Sequence, residues 1–136
     1  KCNCAGIMLE RVSGDISISL GPDPDNANST TDIHSNSPGY GIYLKDCTGS
    51  ITIDITDATL TGAGYPIVIE NCNGTGKRIS VTVTSSSGSD LLVGNWYNGP
   101  DLMMKGTNSP TTINGTEVSD GMNYNIDGNG TVSRVN

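Results

Sequence analysis

The feature that most constrains this chain is that it repeats itself. A run GIYLKDC beginning at Gly41 returns 25 positions later as PIVIENC beginning at Pro66. Each run reaches a glycine two residues further on, Gly49 and Gly74, and then a second alternating run, ITIDI from Ile51 and ISVTV from Ile79. Alternation with a period of two is strand patterning, and strands recurring at a fixed interval of this size mark a solenoid. One such unit cannot bury its apolar side alone, so units stack and share a core.

The pattern extends in both directions. Upstream, GIMLERV from Gly6 leads through Ser13-Gly14 into ISISL from Ile16. Downstream, LLVGNWY from Leu91, again 25 positions on, leads through Asn98-Gly99 to Leu102, Met103 and Met104. The first interval is longer, 35 positions, and the surplus falls in residues 21–38, whose prolines, Asx residues and serines predict a loop. The alternation turns Ile42, Leu44, Ile53, Ile67, Ile69 and Val81 inward and Lys45, Glu70 and Thr52 outward. It also aligns charges: Glu10, Lys45, Glu70 and Asn95 form an outward row, Arg11, Asp46 and Asn71 meet at the bend, and Arg78 stacks on Asp101. Opposite charges at strand spacing support one another, so the row favours this register. Between the two clean units, Ala58 and Leu60 supply a third short strand.

The phrase G-I-x-L-x-x-C-x-G-x-I-x-I at residues 41–53 resembles the repeat of pectate-lyase-like right-handed parallel β-helices and phage tailspikes. The resemblance covers residues 6–106 and is greatest to the distal part of a tailspike or tail fibre. It implies an all-β fold, a right-handed parallel β-helix of about four coils in residues 1–106 with an insertion loop at 21–38. It also implies a homotrimer with three helices side by side and interwound tails. From residue 107 the period is lost. Asn-Gly and Asp-Gly pairs at 114, 120, 127 and 129 are hairpin-turn signals. They predict a C-terminal antiparallel β tail, residues 107–136, with strands near 111–113, 123–126 and 131–135. Its Met122, Tyr124, Ile126, Val132 and Val135 need a surface to rest on, and the corresponding face of partner chains is the expected one. The start at Lys1 without Met reads as a piece of a longer protein.

A chain of 136 residues holds one domain. Only 34% of it is hydrophobic and it has no Phe, which suits a thin core of small branched residues. The net charge of −7 offers no basic stripe for a phosphate backbone, so nucleic acid is not expected as a partner. No apolar run reaches the length of a bilayer span, and no motif calls for a cofactor.

Cys47 and Cys72 occupy equivalent positions, with Val12 as their counterpart in the first unit. Neighbouring coils place them about 4.8 Å apart, and buried thiols packing as small hydrophobes is the expectation. Cys2 and Cys4 form a C-x-C pair that matches no recognised zinc spacing.

Several residues are candidates for chemistry. Glu10 and Glu70 lie two coils apart in one row, about 9–10 Å, near the separation used by inverting glycosidases. Lys45 between them makes an ion ladder the competing explanation. Asp54 and Asp57 form a second acidic pair. Asp23, Asp25 and Asp32 in the insertion offer oxygens for calcium without an EF-hand spacing, so no metal is expected. His34, the single histidine, lies in the insertion loop and makes no triad. Aromatic rings stack on sugars, and Tyr40, Tyr43 and Tyr65, with Trp96 below, are the candidate glycan contacts.

The expected function is a glycan-recognising module of a phage tailspike or tail fibre that contacts a bacterial surface polysaccharide, on the virion or extracellularly. A polysaccharide lyase or hydrolase domain of the same architecture is the alternative, and a bacterial surface adhesin segment the third reading.

Overall fold

The computed structural model describes residues 5–26, 30–35, 39–94 and 100–135. The fold is a β-solenoid, and among the described residues every regular element is a strand. Three parallel walls stack along one axis. The first contains β1 (Ala5–Glu10), β4 (Tyr40–Lys45), β7 (Ile67–Glu70) and β10 (Leu102–Lys105). The second contains β2 (Ile16–Leu20), β5 (Ile51–Thr56), β8 (Ile79–Thr84) and β11 (Thr111–Ile113). The third contains β3 (Asp32–His34), β6 (Thr59–Gly62) and β9 (Leu92–Gly94). Three turns are complete, and β10 and β11 begin a further one.

The register is the one the alternation predicts through the first three turns. Ile7, Ile42 and Ile67 stack, as do Leu9, Leu44 and Ile69. Ile42, Leu44, Ile53, Ile67, Ile69 and Val81 are all 0% exposed. Thr52 is exposed, while Lys45 and Glu70 are only half-exposed, Glu70 lying against Tyr43 and Lys105.

The corner between the first and second walls has one recurring geometry. Arg11, Asp46 and Asn71 follow their strands with φ of 57°, 56° and 51°, and Gly106 takes the fourth place at 65°. Left-handed backbone is costly for most L residues, and Asn, Asp and Gly tolerate it best. The corner is held from turn to turn: Asn71 Nδ2 donates to Asp46 Oδ1 at 2.6 Å, and Asn73 Nδ2 donates to the Gly106 carbonyl at 3.1 Å. The next residues, Val12, Cys47, Cys72 and Thr107, point inward. Thr107 Oγ1 accepts the Cys72 N–H at 3.1 Å, filling a place that a thiol occupies in the turns before. Cys47 and Cys72 are free thiols and buried. Beyond them the turns approach so closely that a Cβ on Gly49 would lie 2.1 Å from the Gly14 carbonyl oxygen.

Four sequence expectations are corrected. Leu91 does not open a fourth coil of the first wall. Leu92–Gly94 pairs with β6 in the third wall, and it is Leu102–Lys105 that stacks on β7, 35 positions after its counterpart. The fourth rung of the outward row is therefore Lys105 instead of Asn95, which lies outside the described residues. Arg78 does not stack on Asp101: Arg78 precedes β8 in the second wall, whereas the Asp101 carbonyl accepts the Ile67 N–H in the first. The insertion is not all loop, because Ile33 turns toward the core and makes β3, carrying His34 with it.

The tail differs as well. Residues 111–113 run parallel to β8 and antiparallel to an additional strand, β12 (Thr116–Val118). β13 (Asn123–Ile126) pairs antiparallel with β10 and with β14 (Val132–Val135). Tyr124 and Ile126 are buried in this chain's own core, with Met122 and Val132 packed against it, so the tail rests on its own stack.

Candidate functional site

The outer face of the first wall gathers most of the candidate residues. In β4 the alternation breaks at Gly41, which is buried beside the equally buried Ile42. A Cβ at Gly41 would lie 2.7 Å from the Leu60 side chain and 2.6 Å from the Pro66 carbonyl oxygen, so only glycine fits. This extra inward position brings Tyr40 and Tyr43 onto one face. Their rings stack at 5.1 Å between centroids, with planes 9° apart. Tyr65, from the turn before β7, stacks on Tyr40 from the next coil at 6.1 Å and 21°. Three rings thus form one pile across two coils.

Beside the pile runs the charged row Glu10–Lys45–Glu70–Lys105, one residue per coil. Glu70 is the most engaged of the four. It accepts the Tyr43 hydroxyl and lies 3.6 Å from Lys105 Nζ. Burial, the hydrogen bond to Glu70 and that residue's charge all hold the Tyr43 phenol well above its ordinary pKa. The row outward of Leu44 carries Met8, Tyr43, Val68 and Met103, and Val68 is itself buried under this layer.

The other candidates lie elsewhere. Asp54 points outward from the second wall between Ser19 and Thr82 and accepts the Thr56 hydroxyl at 3.1 Å. Asp57 sits at a left-handed corner (φ 47°) and accepts the Ser86 N–H at 2.7 Å. Neither shares a wall with Glu10 and Glu70. Asp23 accepts the Asp25 N–H at 2.9 Å, a local turn, and Asp32 opens β3. Among the described residues, no group of three or more His, Cys, Asp or Glu side chains is placed to hold a metal ion. Trp96, Tyr97, Cys2 and Cys4 lie outside the described residues.

Asp101, which the sequence offers only as a partner for Arg78, has an unusual environment. Asp101 Oδ2 accepts the Ile126 N–H at 2.8 Å where β10 meets the C-terminal hairpin. It lines a depression of about 270 Å³ with Asp90, Asn125, Asp127 and Ser133. Burial, aided by the Asp90 charge and opposed by the Ile126 hydrogen bond, pushes Asp101 up to about 6. No sequence signal marks it, because its environment is made by residues 24 and 25 positions away.

Burial also keeps Cys72 unreactive. Cys72 is pushed up to about 11, mainly by burial, with the neighbouring Cys47 contributing in both directions. A buried, protonated thiol is a poor nucleophile.

No protein-family model matches the chain, and searches of curated proteins and of solved structures find no match.

Proposed function

We propose that this chain is an attachment module that recognises a surface glycan through the outer face of its first wall, without cleaving it. The observation that carries this reading is the Tyr65–Tyr40–Tyr43 pile beside an alternating charged row, on strands whose inward residues are fully buried. Sugar rings present C–H faces and hydroxyl edges. Aromatic rings with polar tips meet both at low entropy cost, and a rigid wall holds them in place. Three of the four carboxylates first considered for catalysis are engaged, Glu70 by Tyr43 and Lys105, Asp57 by Ser86 and Asp54 by Thr56, while Glu10 stands exposed at the head of its row. The sequence resemblance extends the reading to the distal part of a phage tailspike or tail fibre, a homotrimer on the virion that contacts bacterial surface polysaccharide. An adhesin segment at a cell surface would use the same face.

The test is binding of the chain to a panel of bacterial surface polysaccharides, alongside Tyr40→Ala and Tyr65→Ala variants. Binding lost in both variants, with folding intact, supports the reading. Binding unchanged in both removes the tyrosine face from it.

A second reading, a glycoside-cleaving domain, is favoured by Asp101 alone. A carboxyl raised to about 6 beside other carboxylates is the environment of a general acid. Polysaccharide cleavage abolished by Asp101→Asn would establish this reading against the first.

A further inference from the structure

Three asparagines among the described residues precede a glycine, at 73–74, 114–115 and 129–130, and a fourth pair at 98–99 lies outside those residues. An Asn-Gly pair carries its own reagents. The glycine nitrogen closes on the asparagine side-chain carbonyl carbon, and the missing Cβ of glycine leaves that approach open. Whether it happens depends on how the fold holds the amide.

Two of the pairs are held. Asn73 Nδ2 donates to Asn71 Oδ1 at 2.9 Å and to the Gly106 carbonyl at 3.1 Å, and its Oδ1 accepts the Asn108 N–H. The Gly74 N–H is occupied too, by Ser109 Oγ at 2.9 Å. Asn114 Oδ1 accepts the Val83 N–H at 2.8 Å while its Nδ2 donates to the Gly130 carbonyl at 3.0 Å. That side chain stitches the second wall to the tail.

Asn129 is different. It is exposed, and its side-chain amide makes no hydrogen bond among the described residues. Only the backbone is fixed there: Asp127 Oδ1 accepts the N–H groups of Asn129 and Thr131, each at 2.9 Å. The Gly130 N–H donates to the Asp127 carbonyl at 2.9 Å, one bond in the turn that must open before the nitrogen reacts. Exposure alone does not separate the pairs, since Asn73 is exposed as well. The difference lies in the side-chain bonds.

We propose that Asn129-Gly130 is a self-modifying site, where the chain slowly exchanges a neutral amide for a carboxylate and loosens its own tail. The Gly130 nitrogen bonds to Asn129 Cγ, the Cγ–Nδ2 bond breaks, and the amide leaves as ammonia with the Gly130 proton. Water then opens the cyclic imide. Breaking the nitrogen's bond to Cγ leaves aspartate. Breaking its bond to the main-chain carbonyl carbon leaves isoaspartate, with the chain rerouted through the side chain and one methylene longer. The turn does not absorb that length. It is pressed so closely on the 85–90 loop that a Cβ on Gly128 would lie 1.8 Å from the Gly88 carbonyl oxygen. The Gly130 carbonyl must also stay within reach of Asn114 Nδ2. The new carboxylate shares its turn with Asp127, a like charge. This turn joins β13 to β14, and β13 covers β10, so the change loosens the cap of the first wall.

The experiment keeps the intact chain in warm neutral buffer, native and in urea, and follows it by peptide mass spectrometry with isoaspartate-specific labelling. In urea all three pairs should convert at similar rates. In the native chain Asn129 should go on converting. Asn73 and Asn114 should fall behind it by about tenfold or more, the cost of opening the hydrogen bonds that hold them. Amide exchange in residues 123–135 should quicken as isoaspartate accumulates. Asn129→Gln, whose longer side chain closes the ring poorly, should prevent both changes. Native Asn129 converting no faster than Asn73 or Asn114 would overturn the proposal. So would exchange in residues 123–135 that stays constant as isoaspartate accumulates, or that quickens equally in the Asn129→Gln chain.

Discussion

The Tyr43 hydroxyl donates its hydrogen bond to the Glu70 carboxylate of the next coil, which ties the aromatic pile to the charged row. Neither group is then independent: the acid fixes the ring, and the ring removes one acid oxygen from solvent. Burial and the Glu70 charge both resist loss of the phenolic proton. Spectrophotometric titration should find one tyrosine ionising far later than the rest. Glu70→Gln should lower that value only in part, since burial is the larger cause. The sign for stability follows from the raised pKa. The Tyr43 contribution is complete below the ordinary value of 10.0 and is lost as the pH climbs toward the folded value.

Asp101 predicts an opposite trend from that of most carboxylates. Its folded pKa of about 6 lies above the ordinary 3.8, so the native state holds its proton more tightly than the unfolded chain does. Its contribution is complete below about pH 3.8 and is lost as the pH rises through about 6. Urea midpoints measured from pH 7 down to pH 5 should rise in the native chain. Asp101→Asn keeps an acceptor for the Ile126 N–H and should flatten that slope. An equally steep slope in the variant would assign the trend to other groups.

Ile67 is at the centre of the stacked core, with Ile42 on one side and Leu102 on the other. Ile67→Ala should cost about 2–5 kcal/mol by equilibrium unfolding. Thr52→Ala, on an exposed outward position, should stay within about 0.5 kcal/mol. A large loss at Thr52 with little at Ile67 would mean that the walls are turned the other way, because a one-residue slip exchanges the two faces.

Cys47 and Cys72 should be unreactive toward thiol reagents in the folded chain and modified readily in denaturant, as read by site-resolved mass spectrometry. Cys47→Val should be tolerated, since Val12 fills the equivalent place one coil away. Gly49→Ala should be far more damaging than Cys47→Val, because the added Cβ meets the Gly14 carbonyl and no side chain can move aside.

The part of this fold that the sequence makes legible is the part where strand and charge repeat together. Ile7, Ile42 and Ile67 align on alternation alone, and Glu10, Lys45 and Glu70 confirm the alignment. The reading fails at Leu91 because all three walls share one inward-outward rhythm. An apolar run at the right distance does not reveal which wall it joins; the strand it stacks on decides that. Lys105 was the available signal, since it continues the alternating row where Asn95 does not. Of the site, the tyrosine cluster is legible from its spacing, but the break at Gly41 that piles the rings is not. That break depends on Leu60, from another wall, occupying the space of the missing side chain. Asp101 is hidden for the same reason, its surroundings being made by a hairpin that follows it.

The unequal intervals between stacked strands bear on the order in which this protein assembles. β4 and β7 are joined by a closure of 25 residues, whereas β1 to β4 and β7 to β10 each require 35. Shorter closures lose less chain entropy, and the same two coils bury the most complete apolar rows. Assembly should therefore nucleate in the middle, with β4, β5, β7 and β8, and spread outward to both ends. Thermal fraying should run in reverse, beginning at the outermost strands while the central pair still holds.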